Sequence, residues 1–199
     1  MNDHADDWDK LARELVTRQI SDHVSALNEL AEDPYTLLQV AKATTQCIAA
    51  GRKVLTFGNG GSASDAQHIV VELVGRFRLD RRGYPAIALT ENSANLTAIA
   101  NDFDFNEVFS RQVEALGQEG DIAIGLSTSG NSTNVVAGLV QASEMGMTTI
   151  AFTGGDGGEM KAIADFCVIA GSADTPRIQE THITAIHILC ELVEKELAS

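Results

Sequence analysis

From Gly51 onward, short apolar runs alternate with stretches of helical period. The runs are KVLTF (53–57), PAIAL (85–89), DIAIGLS (121–127), TTIAFT (148–153) and DFCVIA (165–170). None alternates strictly between apolar and polar positions. A strand wetted on one face would alternate, so these strands are expected to be buried on both faces. Between them the spacing predicts a helix up to about Gly75, helices over 92–100, 104–115 and 132–145, a short helix after GGDGG, and a long one over 176–198. Parallel strands need a crossover, and a helix usually supplies it. The expected class is therefore α/β, a doubly wound parallel sheet sandwich over residues 52–199.

Residues 1–51 read as an N-terminal helical extension. Trp8, Leu11, Leu15, Ile20, Val24, Leu27 and Leu30 form a helical stripe. Asp33-Pro34 breaks the chain, and Pro34 suits the first turn of a second helix that ends at Gly51. The sheet already has helices on both faces, so packing of Trp8, Leu11 and Leu15 against another subunit is expected. A single domain over 1–199 accommodates all of this.

Lys and Arg number 14 against 28 Asp and Glu, for a net charge of −14. Sequence-independent binding to nucleic acid needs a basic footprint and is excluded. A small phosphorylated ligand is not, because a few local donors can hold one. No apolar stretch reaches the length of a membrane span. The acidic start, MNDHADDWDKLARELV, lacks the basic and apolar regions of a secretory signal, so a cytoplasmic protein is expected. Cys47, Cys167 and Cys190 are widely spaced in apolar surroundings and read as buried thiols.

In doubly wound sheets, ligands sit at the carboxyl ends of strands. The loops there are GNGGS, STSGNS and TGGDGG. In Ser127-Thr128-Ser129-Gly130-Asn131-Ser132, four hydroxyl side chains meet the start of a helix. A helix N-terminus offers unpaired N–H groups and partial positive charge, and one hydroxyl would suffice as a cap; the loop reads as a phosphate cradle. It has neither a P-loop nor a dinucleotide spacing. Gly58-Asn59-Gly60-Gly61-Ser62 reads equally as a tight turn or a ligand loop.

His68 and Glu72 follow, spaced i, i+4 on one helix face. Such a pair can share a metal ion or act as acid and base, but it also occurs on solvated helices. Its flank of Ile69, Val70, Val71, Leu73 and Val74 argues for a mostly buried helix. On the last helix, His182 and His187 point in different directions, so at most one serves a site. Gln179 and His187 differ by only about 80° at 3.6 residues per turn. Glu191, Glu194, Lys195 and Glu196 read as a solvated helix end.

The segments GNGGSASDAQHIVVELVGRF, GYPAIAL, AIANDFDFNEVFSRQVEALGQEGD, LSTSGNSTNV, TGGDGG and RIQETHITAIHILCELVE resemble the phosphoheptose isomerases of the sugar-isomerase (SIS) fold, from about residue 51 to the end. The resemblance implies a flavodoxin-like sheet. It also implies an aldose–ketose isomerase that converts sedoheptulose 7-phosphate to D-glycero-D-manno-heptose 7-phosphate through an enediol. That reaction is the first step of ADP- or GDP-heptose synthesis for surface polysaccharide such as the lipopolysaccharide core. It further implies a cytoplasmic homotetramer, an active site at the subunit interface, and one zinc per subunit. Carried over by position, the metal ligands are His68, Glu72, Gln179 and His187. Substrate contacts come from Asn59, Gly60, Gly61, Glu72, Asn101, Asp102, Ser127, Thr128, Ser129, Ser132 and Gln179. Glu72 is the base and His187 the acid; His182 matches no functional position.

Pro176 stands where some members have an aspartate before Arg-Ile-Gln, so that contact is not carried over. The rival readings are an isomerase of a related sugar phosphate and a non-catalytic regulator of the same fold that binds the replication initiator. Such regulators keep much of the GNG and STxGNS skeleton but lack the His–Glu pair, and the presence of His68 and Glu72 favours the enzyme.

Overall fold

The computed structural model describes residues 3–198, with side chains from residue 7. Residues 1, 2 and 199 of the expected 1–199 span lie outside the described residues. The order is α1 (Asp3–Glu32), α2 (Tyr35–Ala49), β1 (Val54–Gly58), α3 (Gly61–Val70) and a π-helical turn (Val71–Gly75). Then come β2 (Ala86–Ala88), α4 (Ser93–Asp102), a 3-10 turn (Phe105–Glu107), α5 (Ser110–Leu116) and β3 (Ile122–Leu126). The chain closes with α6 (Thr133–Glu144), β4 (Thr148–Gly154), α7 (Gly158–Ile163), β5 (Phe166–Ala170) and α8 (Thr175–Leu197).

The strands form one parallel sheet in the order β2-β1-β3-β4-β5. This is the doubly wound, flavodoxin-like topology. Residues along each strand alternate between two cores, both dry. Val54, Ile122, Ile124, Leu126, Ile150 and Phe152 pack with α2, α3 and α8. Leu55, Phe57, Ala123 and Ala151 pack with Val113 of α5, Val135 and Leu139 of α6, and Met160 of α7. Burial on both faces explains why the sequence shows continuous apolar runs. Because β2 lies on the far side of β1 from β3, the chain reverses direction between β1 and β3. That switch point is where a ligand crevice opens.

The structure differs from the sequence expectation in detail. The helix expected over 104–115 is divided. Asp104 accepts from the N–H of Asn106 at 2.7 Å and caps the 3-10 turn. The helix after β1 passes from α to π geometry at Val71. Nor is that helix mostly buried within one chain: Val71 is 61% and Val74 48% exposed. At the chain's end, Glu194 is not solvated but 1% exposed. Its partners are main-chain groups of a distant loop, described below. No helix among the described residues is long and apolar enough to cross a membrane.

Candidate active site

α3 begins directly after β1, with Gly60 at its N-cap in a positive-φ conformation (φ +56°). The buried Thr56 hydroxyl donates to Ala66 O at 2.8 Å and ties the helix to the strand. This attachment aims His68 and Glu72 at α8. Glu72 Oε1 lies 3.0 Å from His68 Nε2. His187 Nε2 reaches the same His68 nitrogen at 3.2 Å. The Phe77 ring stacks on His187 at 5.6 Å and 27°. A single ring nitrogen therefore faces a carboxylate oxygen and a second ring nitrogen.

One proton cannot satisfy both neighbours of His68 Nε2, whereas a cation can hold all three atoms. His68, Glu72 and His187 offer ligand atoms within 4.8 Å of one another. Zn–N bonds of about 2.0–2.1 Å in a tetrahedron separate ligand atoms by about 3.3 Å. The observed 3.0 and 3.2 Å fit that requirement. Gln179 lies about two turns before His187 on α8. Its amide packs against Gly61, where any Cβ would collide with it.

Across the switch point, the β3 loop turns in its hydroxyls. Ser127 Oγ bonds Ser132 Oγ at 2.8 Å and lies 3.4 Å from Ser129 Oγ. Ser132 stands at the N-cap of α6 but makes no side-chain cap bond. Its hydroxyl turns to Ser127, so capping alone does not account for the loop. Gly130 (φ +67°) packs on the backbone of Gly157 and Gly158 and leaves no room for a side chain. Its carbonyl accepts from Met160 N at 3.0 Å, which joins the β3 and β4 loops. Thr128 is half-buried on the same loop. Asn59 and Asn134 exchange amide hydrogen bonds of 2.8 and 2.9 Å, linking the β1 loop to α6.

His68, Glu72 and His187 thus meet, with Asn59, Gly60, Gly61 and Gln179 around the start of α3. Ser127, Thr128, Ser129 and Ser132 line the adjoining strand end. Asn101 and Asp102 lie at the exposed end of α4, hydrogen-bonded to each other at 2.7 Å. His182 is fully buried, and its Nε2–H donates to Thr153 O at 2.9 Å. Burial holds its pKa down at about 4 despite that hydrogen bond, so it is neutral.

Asp65 was not among the residues expected from sequence. It lies one turn before His68, its Oδ2 is buried without a partner, and burial raises its pKa to about 6 against the opposing His68 charge. Its i−3 spacing to His68 was the available signal.

Residues 17–154 match the SIS domain family. A phosphoheptose isomerase of Clostridium acetobutylicum is 48% identical over 93% of this chain and 96% of its own length. One from Geobacter sulfurreducens is 50% identical over 92% of this chain and 90% of its own. The structure of phosphoheptose isomerase GmhA from Neisseria gonorrhoeae superposes with a TM-score of 0.88, at 39% identity, covering 92% of this chain and 99% of that one. This chain belongs to the SIS-domain family and, within it, to the phosphoheptose isomerases.

Proposed function

We propose that this isomerase converts sedoheptulose 7-phosphate to D-glycero-D-manno-heptose 7-phosphate, opening the synthesis of nucleotide-activated heptose for surface polysaccharide. The observation that carries the reading is the convergence of Glu72 and His187 on His68. The Ser127, Thr128, Ser129 and Ser132 hydroxyls and the first N–H groups of α6 hold the phosphate. Asn59, Gly60, Gly61, Asn101, Asp102 and Gln179 contact the sugar.

Glu72 removes a proton from C1 of the open ketose, while His187 gives one to the C2 oxygen. The product of that step is the enediol. His187 then takes the O1 proton as Glu72 returns its proton to C2, so the aldose forms and both residues are restored. His68, Glu72, Gln179 and His187 would hold one zinc ion. Bound there, zinc supplies Lewis-acid polarisation of the carbonyl.

A homotetramer with sites at subunit interfaces completes the reading. Support comes from Trp8 and Leu11, 67% and 65% exposed on α1, and from Val71 and Val74 beside Glu72. The phosphorylated substrate supports action in the cytoplasm.

The test is incubation of the protein with sedoheptulose 7-phosphate, with and without added zinc, followed by NMR. Appearance of heptose 7-phosphate is expected. Folded, zinc-loaded protein that leaves the ketose unchanged would remove the substrate assignment. It would favour a related sugar phosphate or a regulatory role.

A further inference from the structure

We propose that Arg81 and Glu194 are a positioning pair that sets Glu72 and His187 in register. The inference rests on the roles assigned to those two residues above. Both act through other groups, Arg81 through the Glu72 carbonyl and Glu194 through the main chain of Phe77.

Glu194 lies on α8, seven residues and about two turns beyond His187. Its Oε2 accepts the N–H groups of Arg78 and Leu79 at 2.8 and 2.9 Å. Its Oε1 accepts the N–H of Phe77 at 3.1 Å and Arg81 Nε at 2.9 Å. Burial by itself would raise its pKa; the N–H groups of Arg78, Leu79 and Phe77 and the Arg81 charge outweigh it, so the carboxyl is held below its ordinary value.

Arg81 spends its remaining donors on the π-helical turn. Nη2 donates to Glu72 O at 2.7 Å, and Nη1 to Leu73 O at 2.9 Å. Carbonyls in the last turn of a helix have no partner within it. Here one guanidinium satisfies two of them, and it is pinned in turn over the Tyr84 ring at 3.9 Å. The main chain of Glu72 is thereby fixed next to its reacting side chain. On the other side, the Phe77 held by Glu194 is the ring that stacks on His187. One ion pair, 6% and 1% exposed, reaches the base through its peptide and the acid through an aromatic neighbour.

A buried ion pair is a poor way to add stability, because desolvation offsets the attraction. What it adds here is direction, since each contact is a short hydrogen bond to a group one step from the chemistry. Second-shell groups of this kind are worth about 10- to 100-fold in activity or metal affinity.

Arg81→Lys keeps the charge opposite Glu194 but cannot reach both carbonyls. Asp165→Asn is the control. Asp165 accepts from Thr149 N and Oγ1 at 2.8 and 3.0 Å, at the strand ends opposite the site. Both variants are compared with the parent by thermal unfolding, steady-state kinetics and Co(II) titration followed by absorbance.

Arg81→Lys is expected to lose about 10- to 100-fold in kcat, with KM within about twofold, and to bind Co(II) about 10-fold more weakly. Asp165→Asn is expected to lose thermal stability and keep its kcat. Parental kcat and Co(II) affinity in folded Arg81→Lys, or a loss confined to KM, would overturn the proposal. If Arg81→Lys does not fold, Glu194→Gln is read in the same way. A parent that binds Co(II) but leaves sedoheptulose 7-phosphate unchanged would overturn the substrate reading instead, and the Co(II) comparison still decides the positioning.

Discussion

At the scale of single residues, the site depends on atoms that can be exchanged without changing shape. Glu72→Gln preserves the side-chain outline but removes the carboxylate proposed as the base and as a metal ligand. Turnover is expected to fall by about a thousandfold or more, within the range for lost acid–base catalysis. The unfolding temperature should stay within a few degrees, because Glu72 is only half-buried. Full activity by NMR in that variant would remove Glu72 as the base. Gly130→Ala probes the phosphate loop. The left-handed conformation at Gly130 costs an alanine about 1–2 kcal/mol, and its Cβ would strike the Gly157 carbonyl. A raised KM for the sugar phosphate, with a smaller change in kcat, is the expected result. An unchanged KM would show that the loop does not hold the phosphate. In the sequence the hydroxyl loop stood out because one hydroxyl would suffice as a cap, whereas the glycine turn and the i, i+4 His–Glu pair each kept a structural reading until the resemblance singled them out. Arg81 and Glu194 did not stand out. Glu194 sits in a helix end rich in Glu and Lys, a composition that normally means solvent, and the N–H groups that hold it carry no sequence signature.

At the scale of elements, α8 supplies His187 to the site and His182 to the core five residues earlier. Helical spacing predicted that the two would diverge, and the structure shows why both persist. His182 bonds the Thr153 carbonyl near the end of β4 and so ties α8 to the sheet. Its folded pKa of about 4 lies below the ordinary 6.5. Between those values the unfolded chain binds a proton that the folded chain refuses, so stability falls as pH drops through this window. At pH 5 the loss relative to pH 7.5 is about 2 kcal/mol from this one residue. His182→Gln keeps a donor for Thr153 O and cannot titrate. Urea unfolding at the two pH values should show the gap shrinking by about that amount; an undiminished gap would assign the acid sensitivity to other groups. The strands were readable from their apolar runs, since burial on both faces leaves no ambiguity of period. The π-turn at Val71–Gly75 was not readable, because the Arg81 side chain in the loop that follows bonds the Leu73 and Glu72 carbonyls, and that contact has no sequence signature.

For the whole molecule, the 2-1-3-4-5 strand order brings the β1, β3 and β4 loops to one edge. Strand–helix alternation implied a doubly wound parallel sheet, while the order of its strands comes from the structure. The N-terminal helix poses a different problem. From Trp8 to Arg18, every residue except Ala12 is exposed in the single chain. An isolated helical segment of that length is marginal in water even with good helix formers. Trp8, Leu11 and Leu15 recur at helical spacing and present an apolar stripe with no cover from the same chain. Burial against other subunits would remove that surface from water at about 25 cal/mol per Å². If the proposed tetramer forms through this stripe, replacing Leu11 and Leu15 together by Glu should lower the sedimenting mass to that of a dimer or monomer. If the site is completed at the interface, kcat should fall with the mass, although neither residue touches Glu72 or His187. A parental protein that sediments as a monomer and turns over sedoheptulose 7-phosphate at full rate would separate the active site from assembly.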